Sequence, residues 1–255
     1  MSSRLGLAIV LCGLMVLPAR ADSNEGVSDS ADQIVRKIDQ LYRSQSSYAR
    51  MEMEIITPRW QRTLTMDIWT ADMDKTFIRI TSPKKERGVA SLRIGNEMWN
   101  FLPKTNKVLK IPPSMMMSSW MGSDFTNDDL VKEYSLFEDY AYEFTTVDEP
   151  RDDLYYINCI PREDLPVVWA NIVIAARTTD FLPVWMKYYD EKGELIRVWE
   201  YSDVRIFDGR RIPATMVLIP QHQEGHKTVL HYIEARFDTP LDENTFTLQN
   251  LRSQQ

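Results

Sequence analysis

Three histidines are the residues of this chain whose type could bind a metal ion. His222 and His226 flank the Glu224-Gly225 turn signal, and His231 lies further along the outgoing strand. A structural zinc site needs several ligands that converge on one point, and side chains spread along a hairpin do not converge in this way. The sequence therefore predicts surface or cross-strand histidines and no metal site.

Paired acids could support acid–base chemistry, and they occur at Asp128-Asp129, Asp152-Asp153 and Glu163-Asp164. Each pair falls in a predicted loop or helix start, where helix capping and solvation account for the carboxylates. The sequence contains no G-x-S-x-G elbow and no phosphate-binding loop. Cys159 has no evident histidine partner, so we interpret it as a small packed hydrophobe. We expect a protein that is not an enzyme and needs no cofactor; a lipid-processing enzyme is the weakest alternative.

An apolar, nearly uncharged segment at residues 115–125 is the most unusual feature, and we call it the lid segment. A soluble protein does not normally expose such a block, and methionine side chains adapt to ligands of differing shape. We predict that the segment covers a cavity for an apolar ligand. The predicted lid residues are Met115, Met116, Met117, Trp120, Met121 and Phe125. We expect alternate strand positions to line that cavity, namely Met53, Ile55, Leu64, Met66, Ile68, Phe77, Met98, Trp99 and Phe101. The alternative is that the methionines fill the core of an ordinary barrel.

The N-terminus predicts export. Arg4 precedes the apolar run Leu5 to Leu17, and Pro18-Ala19-Arg20-Ala21 resembles a cleavage site. We expect residues 1–21 to be a signal peptide cleaved near Ala21, and residues 22–255 to form a single domain in the bacterial periplasm. Loss of Arg4 and Arg20 would change the net charge from −7 to −9. An acidic chain without a basic run argues against nucleic acid and against anionic headgroups as the main partner.

The elements that must position the cavity are one helix and many strands. Ser30 and Gln33 match a capping box, and an apolar stripe follows on one helical face. From Tyr48 onwards the apolar residues alternate with period two, and turn signals such as Asp208-Gly209 separate the runs. We count about eleven strands, with two more near 211–219 and 227–237. We predict a mainly β (α+β) fold, a half-closed antiparallel β-barrel of about eleven strands with an N-terminal helix and a helical lid.

Scattered positions resemble the periplasmic lipoprotein-carrier (LolA-like) family. The pattern L-x-x-G-x-x-x-W-x-F-x-P is matched, and further matches stand before it and near the C-terminus. The matching residues are Phe77, Pro83, Leu92, Gly95, Trp99, Phe101, Pro103, Leu241-Asp242 and Phe246-Thr247. The stretch from Ser119 to Phe125 looks like the outer-membrane lipoprotein-sorting branch of the family. The likeness covers about residues 30–250.

The resemblance implies a monomeric carrier that takes the acyl chains of lipoproteins or lipids from an inner-membrane transporter toward an outer-membrane acceptor. Lys84-Lys85-Glu86-Arg87 is predicted to be a solvated charged turn, and the alternative is a docking patch for an acidic region of a membrane transporter. The alternative is a periplasmic sensor or regulatory domain that binds lipoprotein and a protein partner. In the family, an arginine ahead of the strand matching Phe77 helps to hold the lid closed. This chain has Ala71-Asp72-Met73-Asp74 there, and Arg79 or Arg93 could substitute.

Overall fold

The computed structural model describes residues 30–131, 139–162 and 169–253. The predicted signal peptide and the Glu163-Asp164 pair lie outside these ranges. The helices are α1 (Ala31–Gln40), α2 (Asn127–Val131) and α3 (Leu248–Arg252), and a 3₁₀ turn spans Pro113–Met115. The strands are β1 (Ser46–Ile56), β2 (Gln61–Ala71), β3 (Lys75–Ser82), β4 (Ala90–Ile94), β5 (Glu97–Leu102), β6 (Lys107–Lys110), β7 (Tyr140–Phe144), β8 (Leu154–Pro161), β9 (Asn171–Arg177), β10 (Pro183–Tyr189), β11 (Leu195–Phe207), β12 (Arg210–Pro220) and β13 (Lys227–Phe237).

Helix α1 begins as its sequence predicts. The Gln33 backbone N–H donates to Ser30 Oγ at 3.2 Å, and the Ser30 N–H donates to Gln33 Oε1 at 3.4 Å, which completes the capping box. The buried side of the helix is formed by Ile34, Val35 and Ile38, which pack on the sheet. Helix α1 therefore covers the part of the sheet formed by β7 to β10.

The strands form one antiparallel sheet of thirteen strands in the order β6-β5-β4-β3-β2-β1-β13-β12-β11-β10-β9-β8-β7. The predicted mainly β fold is confirmed. The strand number exceeds the predicted eleven, because both segments near 211–219 and 227–237 pair fully within the sheet. The β1–β13 ladder joins the two halves of the chain, whereas β6 and β7 lie at opposite ends of the sheet, which is not closed.

Two predicted hairpins are present. Strands β1 and β2 pair with Met53 opposite Leu64, so the alternating apolar residues share one face. The β11–β12 turn has positive φ at Asp208 (48°) and Gly209 (80°), as a tight turn of this type requires. These features follow from short-range geometry, which is why the sequence reveals them.

The inner face of the sheet and part of its outer face are covered. On the inner face, the lid segment packs on strands β1 to β5 together with β12 and β13, and α1 packs on strands β7 to β10. Trp199 and Tyr201 of β11 contact both inner clusters. On the outer face, α3 inserts Leu251 against Phe77, Leu92 and neighbouring aromatic rings. The inner covers meet over β11, and this junction positions the candidate site.

The lid segment is less helical than predicted. The 3₁₀ turn lies at its start, the five-residue helix α2 follows its end, and turns occupy most of the residues between. Met121 (φ 54°) and Gly122 (φ 74°) reverse the chain, and Ser119 pairs with Thr126 across the reversal. Two successive left-handed residues cannot continue an α-helix, so the cover is a compact loop.

Candidate functional site

A cavity of about 350 Å³ lies where α1, the lid segment and strands β9 to β11 meet. Its wall is mainly aromatic and aliphatic, with two ion pairs, Arg197–Asp129 and Arg43–Asp39, and several hydroxyl groups. The lining residues are Ile38, Asp39, Tyr42, Arg43, Ser44, Thr70, Met73, Phe125, Asp129, Trp169, Ile172, Pro183, Met186, Tyr188, Arg197, Trp199 and Tyr201. Cavities of this size and lining are typical of sites for small apolar or amphiphilic ligands.

An ion pair between Arg197 and Asp129 joins β11 to α2, the helix that follows the lid segment. Arg197 Nη1 lies 2.9 Å from Asp129 Oδ1 and 3.0 Å from Oδ2, and the two side chains are only 12% and 15% exposed. The guanidinium carbon lies 4.3 Å from the ring centroid of Trp169 and 4.8 Å from that of Tyr188. Asp129 Oδ2 also accepts the N–H and the hydroxyl of Thr126, each at 2.9 Å. One carboxylate therefore caps α2 and binds β11.

Two buried tyrosine hydroxyls face a weak acceptor. Tyr201 Oη and Tyr188 Oη donate to Met186 Sδ at 3.4 and 3.6 Å, and a thioether is a poor hydrogen-bond acceptor. Burial raises the pKa of Tyr188 to about 12, although Arg197 opposes the shift. Burial likewise raises the pKa of Tyr201 well above its usual value. Both groups are neutral donors at physiological pH, and a carbonyl oxygen would be a better partner than sulfur.

Four further contacts hold the lid segment on the sheet. Trp120 Nε1 donates to Ser91 Oγ at 3.0 Å in the core, and Arg62 donates to the Met121 carbonyl. Thr228 Oγ1 accepts the Asp124 N–H at 3.0 Å and donates to Asp124 Oδ2 at 2.6 Å. The ring of Phe125 meets Trp199 edge-on, with centroids 5.3 Å apart. The lid is therefore attached at several points by specific polar contacts.

The arginines considered from the sequence bind elsewhere. Arg79 Nη2 donates to the Asn250 carbonyl of α3 at 2.7 Å, and Arg93 Nε donates to the Gly95 carbonyl at 3.0 Å. Arg62 and Arg197 supply the arginine contacts to the lid region described above. Their roles depend on chain reversals that bring distant residues together, and the sequence contains no local signal for that.

The predicted cavity residues divide between the two faces of the sheet. Six of the nine lie on the inner face and pack with the lid segment: Met53, Ile55, Leu64, Met66, Ile68 and Met98. Five of these six are buried, and Ile68 is partly exposed. The other three lie on the outer face with α3: Phe77, Trp99 and Phe101. None of the nine lines the 350 Å³ cavity. Met98 and Phe101 are separated by an odd number of positions on β5, so they point to opposite faces.

The lid residues also divide. Trp120 and Phe125 are buried, and Phe125 alone of the six lines the cavity. Met116 and Met121 are partly buried against the core, whereas Met115 and Met117 are 48% and 60% exposed. The segment thus buries some of its apolar side chains under the cover and presents others to solvent.

The cavity wall contributed by β10 and β11 was missed from the sequence. Arg197, Trp199 and Tyr201 recur with period two on β11, which places them on one face. That alternation is a signal that sequence reasoning could have used. The convergence of this face with Trp169 and Met186 depends on strand pairing.

The histidines and acid pairs have ordinary polar contacts. His231 Nδ1 lies 3.0 Å from Thr215 Oγ1, His226 Nδ1 lies 3.9 Å from Asp124 Oδ1, and Arg151 pairs with Asp153. Within residues 30–131, 139–162 and 169–253, no three His, Cys, Asp or Glu side chains are grouped as metal ligands. Burial raises the pKa of the Cys159 thiol to about 12.

A family model described as "Uncharacterized protein" matches residues 72–253, which is more than half of the chain. The chain belongs to this family. Three solved structures have the same fold. A DUF1329 family protein from Desulfovibrio piger is 23% identical, with a TM-score of 0.73 over 86% of this chain and 97% of that one. Comparison with curated protein sequences gives no match.

The descriptions of the other two structures refer to lipoprotein sorting and to the LolA superfamily. A putative outer membrane lipoprotein-sorting protein domain from Vibrio parahaemolyticus is 23% identical, with a TM-score of 0.71 over 87% of this chain and 98% of that one. A LolA superfamily protein from Nitrosomonas europaea is 19% identical, with a TM-score of 0.70 over 88% and 100%. The resemblance inferred from the sequence is confirmed, and the fold is LolA-like. No helix among the described residues of this LolA-like chain is long and apolar enough to cross a membrane.

Proposed function

We propose that the chain is a non-enzymatic periplasmic carrier that binds the acyl chain of a lipid or lipoprotein in the cavity between α1, the lid segment and β9 to β11. The supporting observation is an apolar cavity of about 350 Å³ beneath a cover that is held by discrete polar contacts. The LolA-like fold agrees with this proposal.

The volume of the cavity limits how much of an acyl chain can bind without displacing the lid segment. Burial of each methylene contributes about 0.8 kcal/mol, so even part of one acyl chain gives substantial affinity. The observed volume lies near the lower limit of ligand sites. A longer or second chain would displace the lid segment from the Met53–Met98 side of the inner face. In this scheme the predicted cavity residues on that face become accessible only in the loaded state.

The polar groups of the wall suit an acyl linkage. An ester or amide carbonyl placed beside Met186 would accept from Tyr188 or Tyr201 more strongly than the thioether does. Arg197 Nε is buried and has no hydrogen-bond partner among the described residues, which gives a second donor on the same wall. These donors would orient the linkage while the hydrocarbon occupies the apolar part.

An inner-membrane transporter would load the carrier, and an outer-membrane acceptor would receive the cargo. A surface suited to such docking borders the lid: exposed Trp60 and Lys85 line an open cleft with Arg62 and Met121. The charged turn at 84–87 thus adjoins a contact that anchors the lid segment. Binding of an acidic partner there could compete with the Arg62–Met121 contact and favour opening.

The proposal is tested by comparing lipid binding by the wild type with lipid binding by variants whose cavity is blocked. Native mass spectrometry of protein from periplasm should show co-purified lipid, and a fluorescent fatty acid should bind the emptied protein. Met186→Asp places a carboxylate in the wall and should abolish binding, because an unpaired buried charge is strongly unfavourable. Ile206→Asp, at an exposed position of β11, is the matched control and should bind normally.

A second variant, which blocks the cavity without adding a charge, distinguishes a blocked cavity from a misfolded protein. Ile172→Phe adds apolar volume to the wall and should weaken binding without introducing charge. Circular dichroism would establish that each variant is folded. Normal binding by folded Met186→Asp and Ile172→Phe would show that this cavity is not the acyl site.

A periplasmic sensor or regulatory domain is the second candidate. The exposed side chains of Met115, Met117 and Trp60 favour it, since solvent-facing apolar groups beside a cleft are typical of protein contacts. A carrier should pass a labelled lipopeptide to acceptor membranes, whereas a sensor should retain it and form a stable complex with a partner. A transfer assay separates the two.

A further inference from the structure

A second cleft, of about 560 Å³, lies on the other side of the C-terminal end of α1. Residues from α1, from the β9–β10 connection and from the start of β12 form it. The lining residues are Lys37, Gln40, Leu41, Arg43, Asp180, Leu182, Arg210, Arg211 and Ile212. We call it the basic cleft.

The basic cleft is positive in an acidic chain. Four cationic side chains and one carboxylate line it, whereas the whole chain has a net charge of −7. The neighbouring ion-pair partners Asp39, Asp238 and Arg177 bring the count to five cations and three carboxylates. The local excess is therefore positive after these ion pairs of the described residues are counted.

Two of the cations are available to a ligand. Arg211 lies 3.4 Å from Asp180, which also pairs with Arg177, and the Arg211 side chain is 56% exposed. Lys37 Nζ lies 4.1 Å from the ring centroid of Phe181, and no carboxylate contacts it in the described part of the chain. Guanidinium and ammonium groups placed together in a concave site are the usual ligands of phosphate oxygens.

The basic cleft adjoins the apolar cavity. Arg43 lines both spaces, and the consecutive residues Leu182 and Pro183 line one each. An amphiphile could place its chain among Ile38, Met186 and Trp199 and its headgroup on the far side of Arg43. The geometry points to the basic cleft as the binding site for the anionic, phosphate-bearing headgroup of a lipid whose acyl chain occupies the apolar cavity. This inference rests on the proposed function and specifies its cargo class.

The experiment compares two lysolipids with the same acyl chain, both used below their critical micelle concentrations. Lysophosphatidylglycerol has a net negative charge, and lysophosphatidylcholine is zwitterionic. Each displaces a fluorescent fatty acid from the full chain, and inorganic phosphate is tested alone. The variants are Lys37→Gln with Arg211→Gln, and the control is Arg205→Gln, an exposed arginine of β11 paired with Asp203.

The wild type should prefer the anionic lysolipid by about fivefold or more, since each of two partly screened charge contacts contributes a few-fold. The double variant should lose that preference, with a larger loss of affinity for the anionic lysolipid than for the zwitterionic one, whose choline offsets the phosphate charge, and the control should match the wild type. Equal affinities in the wild type, or a preference that survives in the double variant, would overturn the headgroup assignment while leaving acyl binding intact. Competition by phosphate alone, without lysolipid preference, would instead assign the cleft to a free anion. Failure of both lysolipids to bind would refute the proposed function itself.

Discussion

Replacing Asp129 with asparagine removes the negative charge that joins α2 to β11 while preserving the shape of the side chain. Asparagine can still accept from Thr126 and cap the helix, so capping should survive. What is lost is the attraction to Arg197, whose Nη1 lies about equally far from both carboxylate oxygens, at 2.9 and 3.0 Å. The variant therefore isolates the ion pair from the helix cap.

The magnitude follows from burial. A hydrogen bond to a charged group contributes about 1.5–3 kcal/mol, and breaking a fully buried pair costs about 3–5 kcal/mol. The side chains of this pair are 12% and 15% exposed, and the rings of Trp169 and Tyr188 still stabilise the guanidinium. We expect a loss of about 2–3 kcal/mol in the free energy that closes the lid. The population of the open lid should then rise by about 30-fold to 150-fold.

Amide hydrogen exchange measures this opening. The Trp120 N–H donates to the Phe125 carbonyl at 2.7 Å, and the Asp128 N–H donates to the Met116 carbonyl at 2.8 Å. Both amides should exchange faster in Asp129→Asn, while amides of β9, a strand paired on both sides within the sheet, should exchange as in the wild type. Asp203→Asn removes an exposed ion pair with Arg205, whose side chains are 43% and 59% exposed, and should leave exchange unchanged. Unchanged lid exchange in Asp129→Asn, or equal acceleration throughout the sheet, would refute the assignment of this pair to the lid.

Three further predictions concern the core, the thiol and acid stability. Met53→Ala should lower the free energy of unfolding by about 2–4 kcal/mol, whereas Met117→Ala should change it by less than about 0.5 kcal/mol, as urea titration would show; equal losses would contradict the burial difference. Cys159 is buried with a raised pKa, so a thiol reagent should label it only after denaturation, and rapid labelling of native protein would contradict this placement. The hydrogen bond that Arg177 donates lowers the pKa of Asp180. The stability that this carboxylate contributes is therefore fully present above its unfolded pKa of 3.8 and is lost as pH falls below that value. Arg177→Gln should therefore be less stable than wild type at neutral pH and converge with it in acid, and a constant difference across an acid titration would contradict the linkage.

The predictions from sequence succeeded where the interactions are local. The capping box of α1 joins residues three apart, and the Asp208-Gly209 turn needs only two adjacent residues with positive φ. Period-two alternation predicted the paired strands β1 and β2. The capping of α2 by Thr126 and Asp129 is local as well. In each case, neighbouring residues contain the whole physical cause.

The assignment of residues to faces was harder. Met98 and Phe101 are both apolar and both buried, yet they lie on opposite sides of β5. Apolar residues cover both faces of this part of the sheet, because the lid segment packs on one and α3 on the other. Alternation cannot distinguish two buried faces, so the predicted cavity set combined them.

The order of the residues is enough to indicate a β-rich chain with a LolA-like pattern, an N-terminal helix and an apolar segment between two sets of strands. The space that remains between those elements, and the charges that surround it, depend on the folded arrangement. Arg210 donates to the carbonyl of Arg43 at 2.6 Å across 167 positions of sequence, and Arg197 meets Asp129 across 68. An acidic sequence without a basic run argued against anionic headgroups, yet folding gathers four cations into one cleft. Charge in a sequence is an average over the chain, whereas binding depends on the few groups that the β-sheet pairing brings within a few ångströms of one another.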